Sequence, residues 1–257
     1  MGGNLSAQDE PASKRVAAAL RGRIEKGELA AGSKLPSERE IASEYEIART
    51  TASAAIRLLE QEGLVLRQHG RGNFVRETSP LIRLGGDRYS RKYRGGPTPF
   101  RRECERAGLT PRVEVLAAEQ ARPPIEIAQR LGVDSFTESV LQRSNLYFAD
   151  DEPVQVVNTY IPWAVAEGTP LVERKQTGKD GIYGRLEDCG HIMTTIREEV
   201  TARMPDHRER EMLALPGGTP VLQVIHTSID QNQSPFEVTR FVLRADRNGL
   251  LYQLAVD

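Results

Sequence analysis

LPSEREIASEYEIARTTASAAIRLLEQEGLVLRQHGRGNFV, residues 35–75, decides the fold of the first part of this chain. Pro36 followed by Ser37 and Glu40 is a capping box, in which the Ser37 hydroxyl takes a free helix-start N–H and Glu40 reaches back. A short helix is predicted over 37–44, with Ile41 and Ala42 inward. A break at Tyr45–Ile47 precedes a second helix over 49–62, where Ala52, Ala55, Ile56 and Leu59 recur at helical spacing. Gly63 stands where a left-handed residue would end it. Leu64 to Leu66, a glycine-rich turn over 68–72, and Asn73 to Val75 read as strand, turn, strand. Two helices joined by a short turn and followed by a hairpin predict a winged helix-turn-helix. Upstream, 13–26 forms a helix with Val16, Ala17, Leu20 and Ile24 on one face and Gly27 at its end, a scaffold behind the other two. Residues 1–11 lack apolar periodicity and are expected to form a disordered tail.

A recognition helix presents its first residues to the major groove, so base-reading side chains cluster early on it. Arg49, Thr50, Thr51 and Ser53 lie there. Ser37 and Arg39 sit at the start of the preceding helix, and arginine is the side chain best shaped for guanine's two acceptors. His69, Gly70, Arg71 and Gly72 form the tip of the hairpin, where glycines permit close approach and an arginine suits a narrow minor groove. These ten residues are the candidate DNA contacts. His69 reads equally well as a solvated turn residue. The bland alternative for the whole stretch is a helical hairpin with a solvated charged face.

The stretch resembles the DNA-binding domain of the GntR family of bacterial transcription regulators, whose pattern runs LPSERxLA, a turn, SRxTVRxAL, EGL and GxGTFV. The resemblance implies double-stranded DNA as partner. Three departures matter. The turn glycine is Glu46, which must take a left-handed backbone costing about 1–2 kcal/mol. The serine that would cap the recognition helix is Ala48, losing about 1 kcal/mol. The second recognition arginine is Ser53.

At 257 residues the chain suits two domains. No apolar run is long enough to span a bilayer, and the N-terminus lacks the apolar core of a secretion signal. Cys104 and Cys189 have neither metal-ligand nor disulfide-framework spacing, which fits a reducing cytoplasm. The formal net charge of −1 hides an uneven distribution: +1 over residues 1–77, +6 over 78–112 and −8 over 113–257. Affinity for DNA depends on phosphates neutralised locally, so a near-neutral head can still bind if its arginines share a face.

The expected order is therefore a tail (1–11), a winged-helix domain (12–77), a basic linker (78–109) and a second domain (110–257). In the linker Arg88, Arg91, Lys92 and Arg94 interleave with Tyr89 and Tyr93 between glycine breaks. The stretch is either a hinge whose tyrosines pack on the second domain or a further contact to phosphate. Residues 100–107 look helical. Beyond Arg112 the texture turns to strands: 113–116, 138–148, 154–161, 192–202, 221–230, 235–244 and 250–256. The last is expected to close the sheet. Helices are expected near 124–131, 180–188 and 205–213. Hairpins at 150–153 and 231–234 make this an α+β domain around an antiparallel sheet.

Arg143, the Pro153 hairpin, Tyr160-Ile161-Pro162, Ile182-Tyr183, the run 215–222 (LPGGTPVL) and Pro235-Phe236-Glu237 are similar to the UTRA effector-binding domain, which has a chorismate-lyase-like fold and follows the winged helix in the HutC branch of the GntR family. Asn158 and Leu243 depart from that pattern. The resemblance implies a small-molecule effector over the sheet, held by Arg143, Tyr160, Tyr183 and Glu237, with Asn145, Gln155 and Arg240 as neighbours. Arg143 offers a fork for a carboxylate or phosphate, and Glu237 an acceptor for a hydroxyl or amine. Alternatively, Arg143 and Glu237 simply pair across the sheet. An enzyme reading rests on the shared fold alone, because His191, His207 and His226 form no nucleophile or metal pattern. No cofactor and no metal are expected. The sequence thus reads as a homodimeric, cytoplasmic repressor that recognises a palindromic operator and answers to an effector. The alternative is a regulator without an effector, whose second domain only dimerises.

Overall fold

The computed structural model describes residues 10–68, 70–76, 81–84 (backbone), 88–90, 92, 95–175, 177 and 181–253. The tail (1–9), His69, Arg91, Tyr93, Arg94 and residues 254–257 lie outside these. The chain divides into two compact units, one of residues before 80 and one of nearly all the rest.

The first unit holds α1 (Ala12–Glu25), α2 (Glu38–Glu44), α3 (Arg49–Gln61) and the hairpin β1 (Val65–Gln68) and β2 (Gly72–Val75). The capping box forms: Ser37 Oγ accepts from the Glu40 N–H at 3.3 Å, and a Glu40 carboxylate oxygen accepts from the Ser37 N–H at 2.7 Å. Leu20, Leu35, Ile41, Ala52, Ala55, Ile56, Leu59 and Val65 bury together. Each large member contributes about 1.5–3 kcal/mol. Gly63 takes φ +75° past the end of α3. Two of the three departures from the family pattern are visible in the backbone: Glu46 has φ +51°, and Ala48 gives α3 no side-chain cap. Glu46→Gly should therefore stabilise this unit by about 1 kcal/mol, which in a domain of this size raises its melting temperature by about 4–8 °C. An unchanged melting curve would mean that the left-handed residue carries no strain.

The second unit is built on a six-stranded antiparallel sheet. Its strands are β4 (Pro111–Ala121), β5 (Val140–Ala149), β6 (Glu152–Pro162), β7 (Met193–Arg203), β8 (Val221–Asp230) and β9 (Pro235–Arg244), in the order β4-β5-β6-β9-β8-β7. The β5–β6 turn is the pair Asp150-Asp151, both at positive φ as a tight hairpin requires. On one face, α5 (Ile125–Leu131) sets Ile127 and Leu131 against Tyr160, Ile225 and Val238. Gly132, at φ +70°, ends that helix. On the same face Leu213 and Leu215, which follow α8 (His207–Met212), cover Val156, Val221 and Val242. The other face is closed at one end by α4 (Pro99–Arg106), whose Phe100 and Cys104 pack on Ala149 and Val154. At its opposite end sit α6 (Trp163–Ala166), a 3-10 turn (Pro170–Val172) and α7 (Gly181–Asp188), packed on Leu141 and Ile161. Between the two ends the sheet floors a hollow.

One expectation is corrected. The last strand does not close the sheet. Asn248–Leu251 (β10) pairs in parallel with Leu81–Leu84 (β3) as a separate two-stranded ribbon. Segment 81–84, taken from sequence as linker, supplies a strand edge that β10 uses instead. Among the described residues, no helix is long and apolar enough to cross a membrane.

Candidate functional site

In the first unit most of the candidate DNA contacts are solvent-exposed. Arg39, Arg49, Thr50, Gly70 and Arg71 are exposed, and Thr51, Ser53 and Gly72 are half-buried. Arg49 is 75% exposed and its Nε–H donates to Glu38 at 3.2 Å, an exposed pair that DNA can displace at little cost. Ser37 accepts the cap bond, which leaves its own proton for a phosphate. The hairpin tip depends on glycine: Gly70 and Gly72 have φ +73° and +114°, and a Cβ on Gly72 would lie 2.9 Å from Lys34 Cε. His69 falls outside the described residues.

In the second unit the hollow is a cavity of about 260 Å³. Of the seven residues expected around an effector, Arg143, Asn145, Tyr183 and Glu237 line it. Three do not. Tyr160 is buried under α5, and Arg240 pairs with Glu126 of that helix. Their strands alternate, and Thr159 and Thr239 take the places facing the cavity. Thr159 stands beside Arg143 in register, and its hydroxyl lies 2.7 Å from that of Thr239. Gln155 is fully buried and donates to Asn248 at 3.2 Å, tying β6 to β10.

Arg143 and Glu237 do not neutralise each other through a cross-sheet bond. The Arg143 guanidinium donates through Nη1 to the carbonyls of Leu171 and Glu173 (2.8 Å for the latter) and through Nη2 to that of Lys175 at 2.7 Å. Three of its five N–H donors are thereby used. Among the described residues its Nε–H, buried in a residue 1% exposed, has no partner. Burial holds its pKa below the ordinary arginine value. On the floor opposite, Glu237 is fully buried and accepts from Ser228 at 2.5 Å and from Thr239.

Behind Glu237 runs a chain of polar groups. His226 Nε2 is 3.0 Å from Ser228 Oγ, and its Nδ1 is 3.1 Å from Glu198. Tyr89 lays its ring on His226 with centroids 4.6 Å apart and donates to Glu198 at 3.2 Å. Arg88 forms a buried ion pair with Glu103 at 2.5 Å. Arg88, Tyr89 and residues 95–98 all line the cavity, so the chain leaving the winged helix supplies one of its walls. Sequence reasoning raised Tyr89 as a packing residue but missed Arg88, Tyr147, Thr159, Thr239 and Phe241 as cavity-lining groups and His226 behind them.

Burial raises the pKa of Glu237, although His226, Ser228 and Thr239 pull the other way. A carboxyl whose folded pKa lies above its unfolded value costs stability where it is ionised, and that cost disappears as pH falls below the ordinary value of about 4.3. Glu237→Gln should therefore melt higher than the parent at pH 8 and equal it near pH 4. A variant that melts lower at pH 8 would show the charged form to be the one the fold prefers.

Two family descriptions match the chain: "Bacterial regulatory proteins, gntR family" over residues 12–75 and "UTRA domain" over residues 106–248. The chain is 29% identical over 256 residues to the HTH-type transcriptional regulator Rv0792c of Mycobacterium tuberculosis, covering 98% of this chain and 87% of that one. It is 27% identical to the HTH-type transcriptional repressor NagR of Bacillus subtilis, with 91% of each covered. A crystal structure of a GntR-family transcriptional regulator superposes with TM-score 0.65 at 30% identity, covering 97% of this chain and 99% of that chain. A winged helix with its arginines outward, followed by a UTRA sheet, makes this chain a member of the GntR family: a DNA-binding transcriptional regulator, not an enzyme.

Proposed function

We propose that the protein is a homodimeric, cytoplasmic repressor whose affinity for a palindromic operator falls when a small anionic effector fills the cavity of the second unit. The observation that carries this reading is Arg143. A buried guanidinium on the cavity lining, held by three carbonyls and keeping an Nε–H without a partner among the described residues, suits an oxyanion. Glu237 and the Thr159–Thr239 pair offer acceptors and hydroxyls for the rest of the molecule. The ligand class is thus a small carboxylate or phosphate carrying hydroxyl or amine groups. Its effect on DNA passes through a difference in affinity between two placements of the heads. The wall formed by Arg88, Tyr89 and residues 95–98 is the part of the cavity next in sequence to the DNA-binding unit.

The sign, repression, follows the Bacillus subtilis relative. The palindrome follows from a two-fold dimer. Fluorescence anisotropy of an operator duplex, repeated with a panel of hydroxylated carboxylates, amino acids and sugar phosphates, tests the reading. At least one ligand is expected to weaken binding about 5–150-fold. No effect from any compound that raises the melting temperature would leave the second unit as a dimerisation module.

A further inference from the structure

We infer that the effector is an aryl-substituted small carboxylic acid, with its carboxylate at Arg143, one hydroxyl or amine beside that carboxylate, and an apolar ring on the neighbouring stripe of the sheet. The inference rests on the effector reading above and names the chemical class of the ligand. Two rows of side chains cross the cavity floor, and they differ in character. The first runs in register from Arg143 on β5 to Thr159 on β6 and Thr239 on β9, each carrying a charge or a hydroxyl. The second runs from Val115 on β4 through Asn145, its polar member, to Val157 and Phe241. Two residues of strand separate the rows, a distance of about 7 Å. Beyond the second row Tyr147 and Phe100 meet edge to face with centroids 4.9 Å apart, and both line the cavity. One side of the floor is therefore polar and the other largely apolar. A molecule that is polar all round, such as a sugar phosphate, would set hydroxyls against Val115, Val157 and Phe241 with nothing there to bond them.

The polar side fits one negative charge and one donor. Three of the Arg143 donors already hold carbonyls. The Thr239 proton goes to Glu237, so the Thr159 hydroxyl donates to Thr239 at 2.7 Å and its own oxygen is left to accept. Glu237, two residues from Thr239 on β9 and fully buried, places a carboxyl where the second charge of a phosphate would be opposed. A carboxylate takes the Nε–H of Arg143, and a hydroxyl or amine on the adjacent carbon donates to Thr159. A two-carbon link from that carboxylate then carries a ring onto the second row, where Phe241 and the Tyr147–Phe100 pair supply aromatic faces and edges.

The test is calorimetric titration of the full-length protein with L-3-phenyllactate and L-phenylalanine, beside their ringless counterparts lactate and alanine and beside glucosamine 6-phosphate and ribose 5-phosphate. At least one aryl acid should bind about 30–100-fold more tightly than its ringless counterpart, because the ring leaves water for the apolar row. Val157→Phe, which fills that row, should bring the ratio close to one, with its melting curve as the control for folding. Equal binding with and without the ring in the parent would overturn the inference, as would a sugar phosphate that binds more tightly than either aryl acid. Both of those results leave an effector in the cavity, so the wider reading survives them. Binding of none of the six would overturn the inference and the effector reading together.

Discussion

Arg143→Lys will weaken effector binding about 30–1,000-fold, equivalent to about 2–4 kcal/mol, and leave effector-free operator binding unchanged. The substitution is chosen for what it keeps. A lysine ammonium has three donors and can still serve carbonyls such as those of Leu171, Glu173 and Lys175, so the segment that Arg143 pins stays in place. It lacks the Nε–H that the structure leaves unpartnered. A ligand carboxylate or phosphate then loses its charge-assisted bond to that donor. Calorimetric titration of parent and variant, with operator anisotropy as the control, measures both halves. Equal ligand affinity would remove Arg143 from the site and return it to a purely structural tie.

Arg49→Ala will cost about 1–3 kcal/mol of operator affinity and narrow the gap between operator and random DNA. The side chain stands at the first position of α3, three-quarters exposed, and its one ion pair is with the half-exposed Glu38. Surface pairs of this kind contribute little to stability, so the fold should not respond. A base contact predicts loss confined to the specific sequence. A phosphate contact predicts equal loss on every sequence and a shallower salt dependence. Anisotropy on operator and scrambled duplexes, at two salt concentrations, separates them.

The winged helix was legible because its signals are local. The capping box at Ser37 and Glu40, the glycine at Gly63 and the spacing of Ala52, Ala55, Ile56 and Leu59 each follow from a few neighbouring residues. The hairpins of the second unit were legible for the same reason. The face of each strand was not. β6 and β9 are buried on both sides, with runs such as Val154 to Val157 and Phe241 to Arg244 showing no alternation, so parity cannot be read from hydropathy. The family resemblance set Tyr160 at the effector with Arg240 as a neighbour, whereas Thr159 and Thr239 are the residues of these strands that line the cavity. A register argument from Arg143 would have found the first, since Thr159 is its cross-strand partner.

The cavity wall was hidden by a different cause. Arg88 and Tyr89 lie in a basic, glycine-broken stretch that reads as linker, and their partners Glu103, Glu198 and His226 are up to 137 residues away in sequence. No local pattern marks a buried ion pair or a tyrosine stacked on a distant histidine. His226 looked isolated for the same reason, yet it holds together Glu198 and Ser228 behind the cavity floor.

The central claim is that occupancy of the cavity and occupancy of the operator site oppose each other through one free energy. Calorimetric titration of the selected ligand into the full-length protein, with and without saturating operator duplex, tests it most directly. Linkage predicts that operator weakens the ligand by the same factor, about 5–150-fold, by which ligand weakens the operator. Identical ligand affinity in the two titrations would contradict the account.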